Sequence, residues 1–237
     1  MRVQESGSLY QRVCPVKLLG LDTSTEACSA ALSIGDEVIE RFELVRHDHS
    51  ARLLPMVRSV LSEAGVTLRQ CDAIAFGRGP GSFTALRIGA GVVQGLAFGA
   101  DLPVLPVSSL AVLAEGQDAG HVIAAVDARM DQLYWGCYAR GRGGLVAPVI
   151  DDQLGSAATV RAPDGPEWWG AGSGWDRYAD RLLLALGGRA VEWRPDQYPH
   201  AGALLRLAED LYRRGGAVDA AGALPTYLRD DVAKKSR

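Results

Sequence analysis

Residues 75–89 (AFGRGPGSFTALRIG) pass without a break from a short apolar run, through a loop rich in glycine and proline, into an apolar helical segment. A strand feeding a helix through a tight loop is the unit of layered α/β folds, so this segment argues against all-helical and all-strand architectures. Pro80 fixes one backbone angle, Gly81 is placed for the positive φ of a Pro-Gly turn, and Ser82 is placed to cap the helix. Free N–H groups at such a helix end can hold an anion. A phosphate-binding P-loop, however, carries lysine after its last glycine, and here Ser82 and Phe83 follow Gly81. A phosphate cradle and a structural turn both remain open, and the spacing favours the turn.

The helix that follows, expected over 82–99, has two faces almost without side chains: Ala85 and Gly89 on one, Gly91, Gly95 and Gly99 on another. Glycine inside a helix costs about 1 kcal/mol relative to alanine. Close backbone approach by another element is the physical offset. One face is expected on the sheet, the other on a neighbouring helix or a partner chain.

The rest of the chain fits the same class. Apolar runs predict strands at 17–23 and 28–34, and a further strand at 37–45 closes a hairpin over Gly35-Asp36. A stripe of Leu53, Leu54, Val57, Val60, Leu61 and Ala64 predicts a helix at 50–64 that starts late or bends at Pro55. Strands are expected at 72–76 and 103–106, and a Ser-capped helix at 108–115. A second cycle follows, with strands at 121–126, 132–139 and 168–170 and amphipathic helices at 175–186 and 202–214. Each half begins with a strand ending in aspartate, Asp22 and Asp127, which places both near a cleft between the halves. Residues 1–16 read as a polar leader outside the fold, 17–106 as a first lobe and 107–237 as a second.

With 48% hydrophobic and 22% charged residues among 237, the chain can bury a sizeable core, which excludes disorder as its main state. Its 25 basic and 28 acidic residues give a net charge of −3, without a basic face beyond Lys234, Lys235 and Arg237, so unaided nucleic-acid binding is not expected. The apolar stretch 83–100 is interrupted by four glycines and Arg87, which argues against a membrane span. No export signal is evident, and the cytoplasm is the expected compartment. Cys14, Cys28, Cys71 and Cys137 are widely spaced, as reduced thiols would be.

Chemistry-bearing motifs are sparse. Asp22, Thr23, Ser24 and Thr25 follow a strand and suit either a metal-bound phosphate or a hydroxyl-rich turn. A nucleotide-splitting layout needs a matching glycine-rich loop after the second such strand. Residues 127–131 (DARMD) offer bulk and charge instead, which argues against catalysis. His47 and His49 share a face only if their strand continues, and no third ligand follows at a persuasive spacing. No Gly-x-Ser-x-Gly elbow is present. Tyr134, Trp135 and Tyr138 read as core and rim rather than a stacking platform, and 170–174 (GAGSG) as a flexible turn.

The segments LLGLDTSTEACSAAL, HSARLLPMV, AFGRGPGSFTALRIG, VDARMDQLYWGCY and LPTYLRDDVAKK together resemble the TsaB family of bacterial tRNA threonylcarbamoyladenosine biosynthesis proteins. The resemblance spans nearly all of 17–235. It implies a two-lobed actin-like ATPase (ribonuclease H-like) α/β fold, with mixed sheets flanked by helices. It also implies a non-catalytic paralogue of the threonylcarbamoyl transferase that modifies the adenosine beside the anticodon. The transferase's metal-binding His-x-x-x-His element has no counterpart here.

By resemblance, the partners are that transferase, a small ATPase and, through the complex only, tRNA; alone, the chain forms a homodimer. No cofactor is expected beyond weak ATP or magnesium binding. Carried onto this chain, the partner-binding helices of the first lobe supply Leu53, Leu54, Val57, Ala85, Gly89, Val92 and Gly95. A vestigial nucleotide cleft takes Asp22, Thr23, Ser24, Gly79, Gly81 and Asp127. Two departures stand out: Ala85 replaces the family's usual glycine, and 1–16 precede the usual start. The competing expectation is an enzyme in its own right, a nucleotide-dependent transferase or a glycoprotease-like metallopeptidase.

Overall fold

A computed structural model describes residues 15–229. The basic tail therefore lies outside the described residues, as do Cys14 and all of the expected leader except Pro15 and Val16. The Val16 carbonyl accepts the Gly35 N–H at 3.1 Å, so the fold begins one residue earlier than the sequence suggested.

The first half contains β1 (Lys17–Asp22), β2 (Ala27–Ile34), β3 (Glu37–Leu44), α1 (His49–Glu63), β4 (Ala73–Gly77), α2 (Phe83–Ala100) and β5 (Val104–Val107). After α3 (Ser109–Glu115) come β6 (His121–Asp127), β7 (Leu133–Arg140), β8 (Val146–Gly155), β9 (Trp168–Ala171), α4 (Ser173–Leu186), β10 (Ala190–Arg194) and α5 (Ala201–Arg213). The sheets have the orders β3-β2-β1-β4-β5 and β8-β7-β6-β9-β10. In both, the first three strands pair antiparallel and the last two join in parallel. The halves therefore repeat one topology, that of the actin-like (ribonuclease H-like) fold. Asp22 and Asp127 end equivalent strands.

The closing helix of each half crosses to the other. α3 packs on β6, β7 and β8, whereas α5 packs on β1 and β2 and buries Ala201, Leu204, Leu205 and Ala208 beneath the first sheet. This corrects the division at residue 107, because 201–223 return to the first half. An amphipathic stripe says that a helix covers a sheet, but not which one. Buried Glu115 of α3 joins the halves, bonding Arg140 of β7 at 3.0 Å and Arg206 of α5 at 2.9 Å.

Local signals mostly held. Ser108 caps α3, accepting the Ala111 N–H at 3.2 Å. α1 starts at His49 rather than late, with Pro55 inside it; the ring lies on the exposed side, where water can meet the carbonyl it leaves unpaired. Cys28, Cys71 and Cys137 are buried free thiols.

Candidate functional site

The loop after β1 is seated in the glycine-rich segment after β4. Thr23 donates its hydroxyl to the Ala85 carbonyl at 2.8 Å, and the Ser24 carbonyl accepts the Ser82 N–H at 2.7 Å. A Cβ at Gly77 would fall on Asp22 Oδ2, at Gly81 on the Ser24 carbonyl and at Gly89 on Thr23 Oγ1, each well under the 3.0 Å that real Cβ contacts respect. The glycine spacing of 77–89 is thus a socket for residues 22–24. Two N–H groups that an anion would need are used internally: that of Ser82, and that of Gly79, which bonds Ser109 Oγ at 3.1 Å. The positive φ predicted for Gly81 belongs to Gly79 (φ +98°). Ser82 holds the N-cap position without a side-chain cap bond.

Asp22 is 1% exposed. Its Oδ1 accepts the Ser24 N–H at 2.9 Å and the Ser24 hydroxyl at 2.7 Å, while Oδ2 makes no hydrogen bond to any described residue. Burial outweighs the Ser24 bonds and pushes the carboxyl from 3.8 up to about 6. The folded state therefore holds this proton more tightly than the unfolded chain does. The associated stability is fully present below pH 3.8 and is lost as pH rises towards about 6. The loss is roughly 3 kcal/mol at 1.36 kcal/mol per pH unit. Asp22→Asn removes it, so urea denaturation should show the variant's stability gaining on the wild type between pH 4 and pH 6.5. A pH-independent difference would refute this account of Asp22.

Above this loop lies a cavity of about 660 Å³ between the halves. Ser24, Gly81 and Phe83 line it from the first half, and Asp127, Ser173 and Arg177 from the second. Of the six residues assigned to a nucleotide cleft, Ser24, Gly81 and Asp127 reach the cavity. Asp22, Thr23 and Gly79 are buried and do not line it, because the socket draws them inward. The Asp127 side chain, 10% exposed, accepts the Arg129 N–H at 3.0 Å and meets the guanidinium of Arg177 at 3.5 Å. Arg129, Met130 and Asp131 all have left-handed backbone (φ 62°, 54° and 59°). Each non-glycine residue held there costs roughly 1 kcal/mol or more. Both carboxylate oxygens of exposed Asp131 accept from Arg181 at 2.9 Å.

Of the residues assigned to a partner interface, Leu53, Val57, Ala85 and Gly89 are buried in the chain's own first half. An apolar stripe marks the face a helix turns inward, so reading it as a docking face inverted its meaning. Leu54 is 40% exposed, Val92 is half-buried and Gly95 is exposed. α2 is long and apolar enough by composition to cross a membrane, yet Leu86, Ala90, Val93 and Ala97 are buried in the fold. On its other side a Cβ at Gly91, Gly95 or Gly99 would meet no described atom within 4 Å, and Phe98 is 84% exposed. One glycine face is filled from within the chain; the other lies open.

β3 ends at Leu44, so His47 and His49 do not share a strand face. His47 is exposed, while buried His49 bonds the Thr25 carbonyl at 2.9 Å. Among the described residues no three His, Cys, Asp or Glu side chains cluster as metal ligands. Trp135 and Tyr138 are core residues, and half-buried Tyr134 lines the cavity. Phe98, Tyr227 and Arg229 escaped sequence reasoning; the one available signal was the pairing of Phe98 with a glycine-rich helix face.

Residues 41–168 match the family model of TsaD, tRNA N6-adenosine threonylcarbamoyltransferase. The tRNA threonylcarbamoyladenosine biosynthesis protein TsaB of Haemophilus influenzae is 39% identical over 230 residues, 92% of this chain and 95% of the relative. Its Escherichia coli counterpart is 38% identical over 93% of this chain and 97% of its own length. The chain belongs to the TsaB family. YeaZ from Pseudomonas aeruginosa agrees in fold: it is 48% identical, with a TM-score of 0.84 over 90% of this chain and all of that one. The TsaB assignment and the TsaD match together make the chain a TsaD-like paralogue.

Proposed function

We propose that the chain is a non-catalytic scaffold in tRNA threonylcarbamoyladenosine biosynthesis, binding and stabilising the catalytic transferase of which it is a paralogue. The observation that carries the reading is the open face of α2, where Gly91, Gly95 and Gly99 leave open space on their Cβ sides beside exposed Phe98. Several glycines in one helix are costly unless another backbone approaches closely, and no described residue fills this face. Leu54 and Val92 add apolar contact. A small ATPase joins the pair, tRNA is met through the assembly, and without the transferase the same face serves a homodimer. The cleft supports the reading too: Asp22 is sealed under its socket, and Asp127 is engaged by arginines.

The cavity favours a second reading, a nucleotide-dependent enzyme active by itself. The two separate in a modification assay with purified tRNA. The scaffold reading expects product from the transferase with this chain, little from the transferase alone and none from this chain alone. Product from this chain alone would overturn it.

A further inference from the structure

The segment after α5 ties α2 to the second half of the molecule. Val218 pairs with Val104 through two hydrogen bonds of 2.8 Å, which fixes the segment on the edge of the first sheet. It then follows α2. Gln94 donates to the Ala223 carbonyl at 3.1 Å, the Thr226 N–H bonds the Arg78 carbonyl at 2.7 Å, and Arg87 donates to the Tyr227 hydroxyl at 3.0 Å. The rings of Phe83 and Tyr227 lie 5.5 Å apart, with the Arg87 guanidinium over both. Two residues later the chain reaches the cavity wall. Arg229 donates to the Ala128 carbonyl at 2.9 Å and to Gln132 Oε1 at 2.8 Å, the two ends of the left-handed turn.

That turn has reason to be bistable. Three successive non-glycine residues sit in the left-handed region, and their side chains are exposed rather than packed. The exposed Arg181–Asp131 pair contributes little by itself. Arg229 clasps both ends of the turn from outside it and supplies charge-assisted hydrogen bonds. Thr226, Tyr227 and Arg229 also form one wall of the cavity.

We infer that residues 223–229 are a conformational strap: anchored along α2, they hold the turn at 128–132 in its left-handed form, so that loosening the strap at α2 releases the turn and opens the cavity on that side. The coupling runs both ways, as linkage requires. It needs nothing to be known about what docks on α2, so its failure would leave the scaffold reading untouched.

Hydrogen exchange read by mass spectrometry on the full chain tests it. The Ala128 and Gln132 amides, bonded to Gln132 O at 2.9 Å and Arg129 O at 3.1 Å, are the reporters. Tyr227→Ala removes the α2 contact nearest Arg229, the bond to Arg87 and the ring packing on Phe83, and makes no change at the turn itself, yet these amides should exchange about tenfold faster, as they should in Arg229→Ala. The double variant should be no faster than either single one. The β1 amides of Leu19 and Leu21 serve as a reference for global opening. Should they also accelerate, Tyr227→Phe, which keeps the ring and loses the Arg87 bond, should still speed the turn several-fold with β1 unchanged. Unaltered exchange at 128–132 in Tyr227→Ala, or acceleration at the turn only in step with β1 in Tyr227→Phe, would overturn the strap.

Discussion

Gly95→Leu should weaken pairing with the catalytic transferase by at least about a hundredfold while leaving the chain itself at least as stable as before. The two halves of that expectation have separate causes. In the isolated chain a Cβ at Gly95 meets no described atom within 4 Å, so a leucine side chain sets out into open space there. It also replaces the poorest ordinary helix former with one of the best, a gain of up to about 1 kcal/mol. In the complex, leucine fills the space that the bare backbone leaves for a second polypeptide. A close approach there would be pushed apart or leave voids, and every 1.4 kcal/mol lost is about tenfold in affinity. Titration calorimetry and a thermal melt on the same preparation read both halves. Unchanged affinity would remove α2 from the interface, and a lowered melting temperature at a dilution where the chain is monomeric would mean the face is not open.

Gly77→Ala should have the opposite signature, a destabilisation of about 3 kcal/mol or more. The new methyl would fall on Asp22 Oδ2, with Asp22 Cγ at 2.8 Å and Ser109 Oγ at 2.9 Å closing in around it. Asp22 cannot swing aside without losing both Ser24 hydrogen bonds, and it has no solvent to swing into. Gly95→Ala, the same chemical change on the open side, should be neutral or stabilising by up to about 1 kcal/mol. Urea denaturation compares the two directly. Equal effects would show that the socket does not constrain the loop at 22–24.

Much of this architecture was legible in the sequence, and the reasons are particular. β1, β4 and β6 are buried apolar runs, which is why their positions, and the aspartates that end β1 and β6, could be read. β8 was missed because only Val146 in it is buried, so Val146–Gly155 carries aspartate and glutamine where a buried strand would be apolar. β10 was missed as a short edge strand interrupted by Glu192. The four-residue glycine spacing of α2 was visible, and so was the idea of two bare faces. Which face turns inward was not, because Thr23 and Ser24, sixty residues away, decide it. The strap was invisible for a similar reason: Tyr227 and Arg229 look like ordinary surface residues until the fold brings them beside Arg87 and Ala128.

The central claim is that the open face of α2 serves the complex and the cleft supplies no catalytic group. Transferase reconstituted with Gly95→Leu and, separately, with Asp127→Asn, each assayed for tRNA modification, tests it most directly. The account predicts that Gly95→Leu abolishes the stimulation given by the wild-type chain, whereas Asp127→Asn, isosteric and placed in the cavity wall, preserves it. Loss of modification in Asp127→Asn with pairing intact, or full stimulation by Gly95→Leu, would contradict it.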